Sequence, residues 1–359
     1  MQIAQQTTTV QHAPTLGVSA QYELAIDAAP TPTASRHEAT GLALGRDYAL
    51  YGITPPIEHL YAQSPLQRGW MAQRARRLPQ LDAHAYTAQW LALRTHAWAR
   101  GRAFEGVQLT PNYLQQIDTD YCPITRDPLD ADSRSIDRVR DDAGYAAGNL
   151  VVMSALANAA KGSRNHADLM AMARSCELGP ITHIGGLGAA EWERLAVLAS
   201  YVTELPHEVA ATLPMVVLPP NRLRLFNPIQ ALQALITRQL TRPGWSARLA
   251  RLEALLPDDG LRSDFNRLVL ALAPRVLEAV KLSTPEQIRW ALEDAWRQSL
   301  VQKRWQRWAL QLSAEQAEQL VARAAAKGLA TTHVQCHSKQ LATEGWALAD
   351  HGYQAEMAA

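Results

Sequence analysis

Beyond residue 180 the chain keeps to a single period. The segments "AAEWERLAVLASYV", "NPIQALQALITRQL", "GWSARLARLEALL", "LRSDFNRLVLALAPRVLEAV" and "TPEQIRWALEDAWRQSLVQKRWQRWALQL" each return an apolar residue every three or four positions, and Pro or Gly separates most of them. A stripe of that spacing lies on one face of a helix and must be covered by another element, so residues 180–330 read as a helical domain. The last segment opens with Thr284-Pro285-Glu286-Gln287, where a capping Thr, a Pro in the first turn and a Gln three residues on mark the start of a long helix. Its aromatics, Trp290, Trp296, Trp305 and Trp308, stand among Lys303, Arg304 and Arg307, a mixture also found on platforms that stack single-stranded nucleic acid. Their spacing favours the core: Ile288, Leu292, Trp296 and Leu300, then Val301, Trp305, Trp308 and Leu312, advance by steps of one helical turn.

Composition narrows the class of protein. With 359 residues, 47% of them hydrophobic, the chain has material for a sizeable core and more than one domain. A net charge of +1 gives no overall attraction for polyanions, so a nucleic-acid surface would have to come from local clustering. The three cysteines, at 122, 176 and 336, are too scattered for a disulfide framework, and the N-terminal residues show neither a signal peptide nor a membrane span. A cytoplasmic location without membrane attachment is expected. Residues 1–38, rich in Thr, Gln, Ala and Pro without periodicity, read as a disordered arm.

Residues 39–117 read as a basic helical region. Two helices are expected between Pro55 and Phe104, with Pro79 as the break and Asp82 as the second N-cap. Across 66–102 there are seven arginines, Arg68, Arg74, Arg76, Arg77, Arg94, Arg100 and Arg102, against Asp82 alone, an excess of 7 − 1 = 6 positive charges. Such a run is either a solvated helix face above a Trp70, Trp90 and Trp98 core or a phosphate-contacting surface, for which Arg74, Arg76, Arg77, Arg94, Arg100 and Arg102 are the candidates. In the tail, 331–359, His333, Cys336 and His337 have ligand chemistry but not the four ligands of a structural zinc.

The helical pattern breaks between the two halves, in "SIDRVRDDAGYAAGNLVVMSALANAAKG", residues 135–162. Ile136 and Val139 bracket Asp137 and Arg138. A Gly-containing loop leads to Asn149 and a short apolar strand from Leu150 to Met153. Ser154 is a plausible N-cap for the helix-forming run that follows, so strand, loop, strand and helix succeed one another as a compact ββα unit within 118–175. Asn158 and Lys161, three apart, share a helix face. Asp137 and Asn158 together offer a carboxylate and an amide carbonyl, oxygen ligands of the kind a hard divalent cation takes.

The ordered set Asp137-x-Val139, Gly144-Tyr145-x-x-Gly148-Asn149-Leu150 and Asn158-x-x-Lys161, preceded by Cys122-Pro123-Ile124-Thr125, resembles the HNH family of endonucleases, whose fold is the ββα-metal finger. The resemblance spans 122–162. It implies that Asp137 and Asn158 hold a divalent metal, Mg²⁺ or Mn²⁺, that Asn149 ties the loop to the strand, and that Lys161 faces the phosphates. It also exposes a departure: where the family places the His that acts as general base, this chain has Arg138. A guanidinium stays protonated at neutral pH, and a positioned base is typically worth about 10²–10⁴ in rate. A residue outside the motif, such as His166, or water would have to serve.

The expected architecture is therefore mainly α with a small central ββα-metal (HNH-like) unit, α+β overall. The expected function is metal-dependent cleavage of DNA phosphodiester bonds, with Asp137, Arg138, Asn149, Asn158 and Lys161 at the site and the Arg-rich helices holding the duplex. RNA is a second possible partner. The alternative is a catalytically inactive HNH-like DNA-binding or assembly protein.

Overall fold

A computed structural model describes residues 32–329, 337 and 339–354. In chain order its helices and strands are α1 (Pro32–Leu50), α2 (Pro65–Ala75), α3 (Thr87–Ala99), α4 (Pro111–Ile117), β1 (Arg134–Arg138), β2 (Leu150–Ser154), α5 (Ala155–Lys161), α6 (His166–Leu178), β3 (His183–Ile184), β4 (Leu187–Gly188), α7 (Ala189–Tyr201), α8 (His207–Thr212), α9 (Pro228–Leu240), α10 (Trp245–Glu253), α11 (Asp259–Ala279), α12 (Pro285–Ala295), α13 (Ser299–Ala309), α14 (Ala314–Ala326) and α15 (Lys339–Ala342). The chain is mainly helical. Its two small sheets are antiparallel hairpins, β1 with β2 and β3 with β4. No helix among the described residues is long and apolar enough to cross a membrane.

Local chemistry accounts for the helix starts. Ser64, Thr110, Ser154, Asn165, Thr284 and Ser313 each accept a hydrogen bond from the backbone N–H three residues on, so one orphan donor of each first turn is satisfied. Three boundaries depart from the sequence reading. α1 begins at Pro32, inside the 1–38 segment expected to be an arm, while residues 1–31 lie outside the described residues. α3 starts at Thr87 rather than after Asp82, because the Leu81 N–H donates to the Leu50 carbonyl at 2.8 Å and holds 78–82 against the end of α1. The long helix expected from Thr284 is two helices: the chain turns at 296–298, where Trp296 is fully buried and its Nε1 donates to Thr237 Oγ1 at 2.9 Å. That turn sets Trp296 edge-on to Trp305, with ring centres 5.4 Å apart, and brings Trp308 beside Trp305. All three indoles are core.

Two helices, α7 and α9, are buried almost all round, with α6 packed on α7 and with α8, α10, α12 and α14 packed on α9. A polar network joins α7 and α9: Asn227 Nδ2 donates to the Ser200 and Thr203 carbonyls and to Gln230 Oε1, and Gln230 Nε2 donates to Ser200 Oγ. The main core runs without interruption from Ala97 to Trp346, through β1, β2 and the whole helical half, so no gap in the core falls at the expected 175–180 boundary. Leu44, Tyr48, Leu66, Leu91 and Trp98 form a second, smaller core under α1–α3.

Charge joins the hairpin region to the helical half. Arg126, in the loop before β1, grips Asp294 with Nη1 to Oδ2 at 2.7 Å and Nη2 to Oδ1 at 2.8 Å, and lies 3.3 Å from the buried Glu293. Glu293 also accepts the Leu218 N–H at 2.9 Å. The described part of the expected tail is docked. Trp346 is fully buried and donates Nε1 to the Ala147 carbonyl, the Gly144 N–H donates to the Trp346 carbonyl, and Arg224 Nη1 reaches the carbonyls of Leu341, Ala342 and Glu344. Residues 339–354 thus form a strap across the hairpin loop.

Arg126→Ala should destabilise the chain by about 3 kcal/mol, since it unpairs Asp294 and takes one of two guanidinium groups from the buried Glu293, leaving Arg289 at 3.7 Å. Urea unfolding measures this. A change within about 0.5 kcal/mol, the usual range for a surface substitution, would mean that the pair does not join the two regions.

Candidate functional site

The step of two along a strand meets the step of three along a helix at this site. Ser135 and Asp137 share one face of β1, Asn158 and Lys161 share one face of α5, and the two faces oppose each other. Asn158 Nδ2 donates to Ser135 Oγ at 2.7 Å, and Lys161 Nζ lies 3.2 Å from both Asp137 Oδ1 and Oδ2. The β1–β2 register sets this depth, with Asp137 opposite Val151 and Arg138 opposite Leu150. The loop between the strands is tied by Asn149, whose Oδ1 accepts the Arg140 N–H at 2.9 Å while Nδ2 donates to the Arg140 and Gly144 carbonyls. Gly148 precedes it at φ +88°; a Cβ there would meet Arg224 Cγ at 2.3 Å, so glycine is required both for the turn and for the passage of that side chain.

Lys161 does not face a phosphate groove. Its side chain is 1% exposed, and besides Asp137 the ammonium donates to the Arg138 carbonyl at 2.9 Å and the Gly162 carbonyl at 3.2 Å. A buried ammonium must fill its donor positions, and these three acceptors turn it inward. Asp137 is equally enclosed. Burial pushes its carboxyl up from the usual value near 3.8 to about 6, with the Lys161 ammonium opposing the rise. Its Oδ2 has no hydrogen-bond partner.

Arg138 is paired rather than free. Nη2 donates to Asp141 Oδ1 at 2.5 Å, Nη1 donates to the Asp141 and Ala143 carbonyls, and the guanidinium lies 5.1 Å from the centre of the Tyr145 ring. These contacts hold it at the rim of a cavity of about 580 Å³ between α3 and β1, lined among others by His96, Arg100, Arg102, Arg134, Asp137, Asp141, Tyr145 and Asn158. Of the arginines singled out in the sequence, Arg100 and Arg102 reach this cavity. Arg74, Arg76, Arg77 and Arg94 do not line it: Arg94 is held by Asp47 at 2.6 Å and stacks on Trp90, Arg74 stacks on Trp70, and Arg76 donates to Gln73. Long-range partners and helix orientation, which a run of arginines does not encode, made that selection.

His96 and Arg134 were not legible as site residues. The His96 ring is pushed below its ordinary value by burial and by the charges of Arg100 and Arg138, and its Nδ1 accepts from Arg100 Nη1 at 2.6 Å. The lone pair a general base would use is thereby occupied. Arg134 pairs with Asp118. His166 lies in a neighbouring cavity, with Nδ1 donating to the Ala196 carbonyl at 2.8 Å, and does not line the one that holds Asp137. His333 and Cys336 lie outside the described residues, and among those residues no group of three or more His, Cys, Asp or Glu is placed to hold a metal.

No protein-family model, curated protein or solved structure matches this chain.

The raised Asp137 pKa has a direction in stability. The folded state holds this proton more tightly than the unfolded chain, so the group's contribution is complete below about pH 4 and is lost as pH rises through about 6, an amount of about 3 kcal/mol. The stability of the wild type relative to Asp137→Asn should fall by that order between pH 4 and pH 7. Urea midpoints of the pair across this range check it, and a relative stability that rises over the same range would show that the Lys161 attraction outweighs burial.

Proposed function

We propose that the ββα unit, which resembles the HNH finger, is a DNA-binding module that does not cleave, and that an internal ammonium stands in its centre where the resemblance implies a metal ion. The observation that carries this reading is the position of Lys161 Nζ, 3.2 Å from both oxygens of Asp137. The residues present do not fit a hard dication well. Asp137 is the one carboxylate facing Lys161, Asn158 donates Nδ2 to Ser135 and offers its carbonyl oxygen as a single further ligand, and an ammonium already in contact with the carboxylate repels a second cation. Three departures point the same way: Arg138 at the base position, its pairing with Asp141, and the His96 lone pair accepting from Arg100. What the cavity retains is cationic rim chemistry, four arginines against Asp137 and Asp141, suited to holding a phosphodiester rather than to activating water.

The competing reading, a metal-dependent endonuclease, draws on Asp137 Oδ2, which is buried, without a hydrogen-bond partner, and part of a residue on the cavity wall. One assay separates the two. The full chain with supercoiled plasmid and Mg²⁺ or Mn²⁺ should leave the plasmid intact, while shifting its mobility in a manner that weakens as salt is raised. Arg100→Glu should reduce that binding by about tenfold. Nicking that needs divalent metal and disappears in Asp137→Ala would establish the endonuclease instead.

A further inference from the structure

The cavity that holds Asp137 is not isolated. A second cavity, about 690 Å³, is lined by Arg102, Arg140, Asp141, Asp142, Arg164, His166, His351 and Tyr353 among others. Arg102 and Asp141 belong to both walls, so the two chambers lie on either side of one pair. That pair is pinned from outside by the strap: Arg102 Nη1 donates to the His351 carbonyl at 3.1 Å, and its guanidinium lies 4.0 Å from the centre of the half-exposed Tyr353 ring. Most cations around the chambers are matched by a carboxylate, Arg102 and Arg138 by Asp141, Arg134 by Asp118, Arg140 by Asp142. Two donate to uncharged groups, although the wall of the second chamber also carries Glu204. Arg100, in the first chamber, meets the neutral Nδ1 of His96; Arg164, in the second, meets the carbonyls of Ala160 and Lys161. Each chamber therefore carries one arginine whose hydrogen bonds go to uncharged groups, with the Arg102–Asp141 pair between them.

Shape selects among polyanions. The first chamber lies between α3 and β1, with Gln89, Ala92, Leu93 and His96 of α3 facing Arg134 to Arg138. A single strand is thin and flexible enough to enter a groove between two elements, and it is bound by cations that track its backbone and by rings that stack its bases. Tyr353, half-exposed in the second chamber under Arg102, offers such a ring.

We infer that the two chambers form one groove for a single-stranded polynucleotide, with Arg100 and Arg164 contacting phosphates on either side of the Arg102–Asp141 pair. This rests on the nucleic-acid-binding reading above and narrows it to strand type and path. DNA and RNA share the chemistry that the groove recognises, and the test distinguishes them.

The experiment is fluorescence anisotropy on the full chain with end-labelled oligothymidylates of increasing length, oligouridylates of the same lengths, and a duplex matched to the longest. Single strands should bind more tightly than the duplex, with affinity rising with length until both chambers are spanned and then levelling. Arg164→Glu should weaken the long strand by about tenfold and lower the salt slope of log K by about 1, while leaving the shortest bound strand unchanged. Arg164 is exposed, and Arg164→Gln provides a milder substitution in which the salt slope still reports the lost contact. Equal or tighter binding of the duplex, or wild-type affinity and salt slope in both Arg164 variants, would overturn the single-strand groove while leaving DNA binding intact. Failure to bind any of these oligonucleotides would remove the nucleic-acid reading itself. A preference for thymidylate or uridylate identifies which strand the groove takes.

Discussion

An ammonium and a carboxylate with almost no access to water determine how the centre of this protein is arranged. Lys161 and Asp137 are 1% and 7% exposed in their side chains, and each is held mainly by the other. Desolvating two charges costs several kcal/mol per ion, and only good geometry with further hydrogen bonds offsets it. Lys161 meets that demand with the carbonyls of Arg138 and Gly162, which fixes where β1 ends and where α5 stops. The pair is therefore an ordering device. It sets the hairpin against the helix, and it occupies the position where a site of this shape would otherwise present a bare carboxylate.

The surroundings reinforce that arrangement from three directions. Arg126 binds the loop before β1 to the end of α12, Arg224 passes against Gly148 to reach the α15 carbonyls, and Trp346 closes over Ala147. A seven-residue helix and a hairpin of two five-residue strands have too little apolar surface to be stable alone. The uninterrupted core from Ala97 to Trp346 resolves this, since Val151, Met153 and Ala157 belong to the same continuous core as the helical half. Rigidity at the cavity floor comes from this shared core. The rim, with the exposed Arg164 and half-exposed Tyr353, is open to solvent.

The chemistry of the cavity follows from how its charges are spent. A carboxylate opposed by an ammonium, an arginine bound to Asp141 and a histidine whose lone pair accepts from Arg100 make a poor set for activating water. Around them stands a cationic rim in which Arg102, Arg134 and Arg138 are held by carboxylates and Arg100 meets the His96 ring nitrogen.

Much of this was legible in the sequence. The 3.6 period placed the helices, Ser154 and Thr284 announced two helix starts by their capping chemistry, the alternation of turn and apolar residues located the hairpin, and residue 138 put an arginine where the resemblance implies the histidine base. These are local properties, carried by residues within a turn or two of one another. Tertiary structure decided the rest. The sequence places Lys161 and Asn158 on one face of α5 but does not say what lies opposite, and only the packing of α5 on β1 turned the ammonium inward. It presents seven arginines between 66 and 102 as equals, yet only Arg100 and Arg102 reach the cavity, because Asp47, Trp70 and Trp90 hold others elsewhere. It gives residues 339–354 no periodicity that would announce a docked strap, because the carbonyls, indole and loop that hold them come from positions more than a hundred residues away. Burial and ion pairing depend on which distant groups meet, and a one-dimensional pattern carries that information only where the partners are near in sequence.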